Sequence, residues 1–176
     1  MPDGVSVPGL VGASDLTERV IAELIGRSLT VVAAESLTGG ELVAELTRVP
    51  GASATVLGGA VVYATALKHS LLGVDQDLLD TYGPVHPDVA FQLALRVRDR
   101  LAVDGRRADV GLSTTGVAGP DGQGGRSPGT VFVGVSVGDR TRVVELALSG
   151  SRPEIRRQAV IRAIEELASD LGIPVM

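Results

Sequence analysis

The chain is 176 residues long, which suits one domain of ordinary size with a core that needs no staples. It contains no cysteine and two histidines, His69 and His86, so thiol nucleophiles, disulfides and thiolate metal sites are excluded and a zinc site is not expected. A net charge of −5 and only four aromatics, Tyr63, Tyr82, Phe91 and Phe132, argue against nucleic-acid binding by charge or by base stacking.

In chain order, residues 1–13 read as a frayed tail rich in Gly and Pro, without the basic and apolar regions of a signal peptide. No stretch reaches transmembrane length, so a cytoplasmic protein without membrane contact is expected. Residues 14–176 form the single domain. Behind Ser14, the positions Leu16, Val20, Leu24 and Ile25 recur at helical spacing. Leu29 to Ala34 is a continuous apolar run, the pattern of a strand buried on both faces, and a helix from Gly40 to Val49 follows it. Pro50-Gly51 stops that helix, and in the apolar segment Val56 to Tyr63 the pair Gly58-Gly59 allows a bulge or a close backbone approach.

Ala64 to Leu72 predicts a short helix closed by Gly73, and Asp77 to Tyr82 another turn or two. Pro87 suits the first position of a helix carrying Val89, Leu93, Val97 and Leu101 at i, i+4 spacing. Ala108 to Ser113 reads as a buried strand ending in a turn from Thr114 to Pro120. Asp121 to Gly129 is so glycine-rich that it reads as a mobile loop long enough to act as a lid. Thr130 to Val137 and Arg142 to Leu148 flank a hairpin turn, and Pro153 to Leu171 is a long amphipathic helix. Helices alternating with strands, then a late hairpin, predict an α/β fold: a three-layer α/β/α sandwich around a mixed, mainly parallel sheet.

The chemistry concentrates in VVAAESLTGG, Val31 to Gly40. A strand-to-helix turn there exposes the Ser36 hydroxyl beside the N–H groups that open the next helix, which can hold an oxyanion or a phosphate. Lys68 is the only lysine among sixteen Lys and Arg residues, a contrast that marks its titratable amine. A serine needs a base, and a lysine serves only when neutral; lowering its pKa from ~10.4 to near 7 takes roughly 4 kcal/mol, which burial and neighbouring cations can supply. The plainer reading is a capping serine and a surface lysine.

Ser53, in a Pro-Gly-Ala-Ser turn, is a rival nucleophile. Glu35 can cap the helix, orient Thr38 or bind a substrate hydroxyl. Tyr63, five residues before Lys68, can pack, relay a proton or stack on a ring. Thr115 and Gly116 lie in a turn suited to an anion. Arg152, with Arg156 one turn later, opens the last helix against its dipole and can pair with an anionic substrate.

Together, AESLTGG, VPGASA, VYATALKHSLLGV, TTGVAGPDG, SPGTVFVGV and GSRPEIRRQAV resemble the successive motifs of the CinA C-terminal domain family, from about Leu16 to Leu171. The resemblance implies a metal-free and cofactor-free Ser/Lys amidohydrolase, converting nicotinamide mononucleotide, a small-molecule nucleotide substrate, to nicotinate mononucleotide and ammonia. It further implies a homo-oligomer, first a dimer, and a stand-alone form, since longer members add an N-terminal nucleotide-pyrophosphatase domain. Carried over by motif, Ser36 is the nucleophile with Ser53 close behind, Lys68 the base and then the acid, and Tyr63 a further catalytic residue. Glu35, Thr38, Gly39, Gly40, Thr115 and Gly116 fall at the substrate, N–H groups near Leu37 and Thr38 or Thr115 at the oxyanion, and Arg152 at the phosphate. Two departures stand out: Ala64-Thr65-Ala66-Leu67 where the family usually carries Ser-Asn-x-Ala, and His86 where a serine is usual. A nucleotide-binding module without turnover, or an amidohydrolase of another modified pyridine nucleotide, is the competing reading.

Overall fold

Alternate residues of one strand set the layering. In β1 (Val31–Glu35) every residue is buried. Val31 and Ala33 join one hydrophobic core while Val32 and Ala34 join another on the opposite face. A strand apolar on both faces requires cover on both, and the helices supply it.

The computed structural model describes residues 14–175; the tail expected over 1–13 lies outside them. After α1 (Ser14–Gly26) and β1 come α2 (Glu41–Thr47), a single 3-10 turn (Ala52–Ala54), β2 (Val56–Val61), α3 (Thr65–Ser70), α4 (Gln76–Tyr82) and α5 (Pro87–Arg100). Then follow β3 (Val110–Gly116), β4 (Thr130–Val137), β5 (Arg140–Ala147) and α6 (Arg152–Asp170). Side chains of α1, α2 and α6 fill the first core. Leu72, Leu79, Val89, Leu93 and Val97, from the α3 to α5 side, fill the second. The three-layer α/β/α sandwich is therefore present.

Among the described residues five strands form one sheet, in the order β2-β1-β3-β4-β5. β1 pairs in parallel with both β2 and β3, and the pairs β3 with β4 and β4 with β5 are antiparallel. By direction only β4 runs against the others, so the sheet is mixed and mainly parallel in strand direction, with pairings evenly divided. The antiparallel half follows from the late hairpin, where Gly138 adopts φ 57° between β4 and β5.

One expectation changes. Thr114, Thr115 and Gly116 belong to β3 rather than to a turn, pairing with Val133, Phe132 and Val131 of β4, while Thr114 also pairs with Glu35 of β1. β-Branched residues fit a strand flanked on both sides, and that pairing overrides the turn propensity of the glycine. The loop over Asp121 to Gly129 is closed on itself: the N–H of Gln123 donates to Arg126 O at 3.0 Å and that of Arg126 to Gln123 O at 2.9 Å. Arg126 stacks its guanidinium 5.5 Å from the Phe132 ring centroid. The Gly58-Gly59 expectation holds in both forms. Val31 pairs with Val56 but Val32 with Gly58, leaving Leu57 as the bulge, and a Cβ on Gly59 would meet Val43 Cγ2 at 2.3 Å.

Candidate active site

β1 and β2 run in parallel, so both chains leave the sheet at the same end. β1 delivers Ser36 there, its N–H fixed on Thr114 O at 3.0 Å. β2 delivers Val62 and Tyr63, and α3 begins two residues later. Lys68, in the first turns of α3, points back toward the helix N-terminus as helical side chains do. Its Nζ comes to 3.1 Å from Ser36 Oγ and donates to Val62 O at 2.7 Å. The lysine is fully buried, and no carboxylate among the described residues pairs with it. Burial alone lowers its pKa to about 8. Ser36 keeps a little exposure, and both it and Lys68 line the cleft.

The helix-opening N–H groups do not form a phosphate cradle. Glu35, at zero exposure, accepts from Gly40 N at 2.9 Å, Leu42 N at 3.1 Å and Val43 N at 2.8 Å. Its carboxylate occupies the place an anion would take at the N-terminus of α2. Glu35 therefore caps the helix and is not among the residues that line the cleft, and Gly40 has no free N–H. Gly39 and Gly40 turn the chain at φ 61° and 103°, where other residues would be strained. Arg156 clasps that turn from α6, donating to Leu37 O and Thr38 O, each at 2.9 Å, and pairing with Glu41 at 2.8 Å. The Thr38 hydroxyl is engaged with that of Thr114 at 2.7 Å. Two N–H groups of the turn, on Leu37 and Thr38, have no acceptor among the described residues, and Leu37 lines the cleft. Glu35→Ala leaves three helix N–H groups without an acceptor, an expected loss of about 3 kcal/mol, or a fall of roughly 6–12 °C in Tm by calorimetry.

The cleft over Ser36 and Lys68 encloses about 320 Å³. Tyr63 and Arg152 stand at its mouth, where Arg152 donates to Tyr63 Oη at 3.0 Å and to Gly119 O at 2.9 Å. Neither acceptor is charged, so the guanidinium charge faces the cleft uncompensated. Thr115 and Gly116 form a wall, with the Thr115 hydroxyl committed to Pro84 O at 2.7 Å. Ser53 is not brought to the site. It is exposed on the 3-10 turn before β2, and β2 then runs six residues, roughly 20 Å, to reach the Ser36 end. Sequence reasoning overlooked the Val62 carbonyl, which holds Lys68, and the polar side chains of Asp121 and Gln123 that the closed loop sets on the cleft. The only sequence signal for the latter was the placement of a long loop directly after a buried strand. Among the described residues no group of three or more His, Cys, Asp or Glu is arranged to hold a metal ion, and no helix is long and apolar enough to cross a membrane.

Residues 13–171 match the family model described as the CinA C-terminal domain. A CinA-like protein of Frankia casuarinae is 46% identical over 165 residues, which is 93% of this chain and 37% of that protein. One of Gemmatimonas aurantiaca is 40% identical over 157 residues, 89% of this chain and 36% of that protein. The chain thus spans a little over a third of the length of these curated relatives. Among solved structures, the competence/damage inducible protein CihA from Agrobacterium tumefaciens superposes with a TM-score of 0.85 at 31% identity, covering 96% of this chain and 99% of that one. A CinA superfamily protein from Enterobacter cloacae gives 0.85 at 27% identity, covering 97% and 99%. Sequence, motif order and fold agree along nearly the whole described chain, and the protein belongs to the CinA C-terminal domain family.

Proposed function

We propose that this protein is an amidohydrolase that converts nicotinamide mononucleotide to nicotinate mononucleotide and ammonia through Ser36 and Lys68. The observation that carries the reading is a buried lysine with no counter-ion among the described residues, 3.1 Å from the hydroxyl of a serine that lines the cleft. Burial keeps part of the amine neutral near pH 7, and only the neutral amine can accept the serine proton.

Lys68 Nζ takes the proton from Ser36 Oγ as that oxygen attacks the carboxamide carbon. The carbonyl oxygen becomes an oxyanion, which the Leu37 N–H next to the nucleophile is free to bind. The Lys68 ammonium then gives its proton to the departing amine, ammonia leaves, and an ester to Ser36 remains. The same lysine takes a proton from a water that attacks that ester and passes it to Ser36 as the acid is released, which then ionises to the carboxylate. No step needs a metal. Arg152, whose partners are neutral, binds the nucleotide phosphate at the cleft mouth, and Tyr63 packs beside it.

The test is ammonia release from nicotinamide mononucleotide by purified protein in the presence of chelator, followed from pH 6 to 10. kcat/KM is expected to rise about tenfold per pH unit below pH 8 and to level off above it, because the reactive form of Lys68 is the neutral one and its pKa lies at about 8. A flat profile between pH 6 and 8 rules out Lys68 as the base. Nucleotide binding without ammonia release leaves a binding module in place of the enzyme.

A further inference from the structure

The cleft carries one acid. Among the described residues that line it, Asp121 is the only carboxylate, since Glu35 is consumed inside the fold by three N–H groups. Asp121 is exposed, and its side chain makes no hydrogen bond or ion pair with any described residue. The loop that bears it is fixed by other groups: Gly119 O holds Arg152, Gln123 and Arg126 close the loop, and Arg126 rests on Phe132. Asp121 therefore contributes nothing visible to the loop's own structure.

A free carboxylate in a site that takes a phosphate lowers affinity for that anion unless the ligand also carries a positive charge. Nicotinamide mononucleotide does. Its ring nitrogen is quaternary, and the positive charge spreads over the ring that bears the reacting carboxamide. Building on the amidohydrolase reading, we propose that Asp121 is the specificity residue that recognises the cationic pyridinium ring and favours oxidised over reduced pyridine nucleotides. Arg152 and Asp121 then match the two opposite charges of one zwitterionic substrate. The same carboxylate repels the carboxylate that hydrolysis creates on the ring, which favours product release.

The experiment compares wild type with Asp121→Asn on nicotinamide mononucleotide and on its 1,4-dihydro form, whose ring is neutral and otherwise nearly isosteric. Each substrate is compared with itself across the two proteins, so its intrinsic reactivity cancels. Asp121→Asn is expected to lose about five- to tenfold in kcat/KM on the cationic substrate, mainly through KM, and to stay within twofold on the neutral one. Raising salt to about 0.5 M is expected to shrink the wild-type preference. An equal loss on both substrates assigns Asp121 to the ribose hydroxyls and overturns the proposal, as does no loss on either. Should wild type hydrolyse neither compound, the amidohydrolase reading fails by itself. Calorimetric titration of both nucleotides into the two proteins then decides Asp121: a preference for the oxidised form that disappears in Asp121→Asn supports it, and an unchanged preference overturns it. An unaltered Tm for Asp121→Asn and Asp121→Ala confirms that the comparison reads the site and not the fold.

Discussion

Ser36→Ala is expected to abolish ammonia release, by at least about 10³-fold in kcat, while Ser53→Ala remains within twofold of wild type. The contrast follows from strand direction. Ser36 leaves the carboxyl end of β1 and meets Lys68, which arrives by the parallel neighbour β2 and α3. Ser53 stands before β2 begins, at the far end of the same strands. No side-chain movement carries its hydroxyl across the length of a strand. Both serines can be replaced at small structural cost, because Ser53 is exposed and Ser36 Oγ contacts the lysine at the cleft. A quantitative ammonia assay on both variants at saturating substrate reads the result. Loss of turnover in Ser53→Ala with Ser36→Ala active would reverse the assignment of the nucleophile.

Lys68→Met is expected to separate activity from stability. Turnover falls by a similar factor, since methionine offers no base, yet the variant is more stable than wild type at pH 7. The folded pKa of about 8 lies below the unfolded value of ~10.4, so the folded state binds protons less tightly than the unfolded chain. Below pH 8 the wild type carries the whole cost of charging a buried amine, about 3 kcal/mol. That cost fades as pH rises from 8 to about 10.4, where both states lose the proton. Methionine removes the cost but also leaves Val62 O without its donor, a loss of roughly 1–2 kcal/mol. The net gain at pH 7 is about 1–2 kcal/mol, and its sign reverses near pH 10. Urea unfolding of wild type and variant at pH 7 and pH 10 checks both signs. A variant less stable at pH 7 would mean that the amine is solvated in the native state and is no candidate for a neutral base.

Much of this was legible in the residues themselves. The uninterrupted apolar run of β1 announced a strand covered on both faces, and the i, i+4 spacing from Val89 to Leu101 announced α5, because periodicity is imposed locally by the geometry of each element. A single lysine among fifteen arginines marked the amine that the fold buries. The helix-opening turn after Ser36 was also correctly placed. Its chemistry was legible in part: Glu35 takes the capping role that was one of those expected of it, holding the N–H groups of Gly40, Leu42 and Val43, while those of Leu37 and Thr38 have no acceptor among the described residues.

Tertiary pairing likewise decided that Thr114 to Gly116 is strand, since neighbours on both sides outweigh a local turn preference. It also decided which of Ser36 and Ser53 stands beside Lys68. Both serines sit in small-residue turns with similar local signals, and only the parallel register of β1 and β2 sets one beside Lys68 and the other a strand's length away. Local sequence thus determined which elements form and which residue types could do chemistry. Strand order and direction, set by long-range burial of apolar surface, determined which of those residues meet.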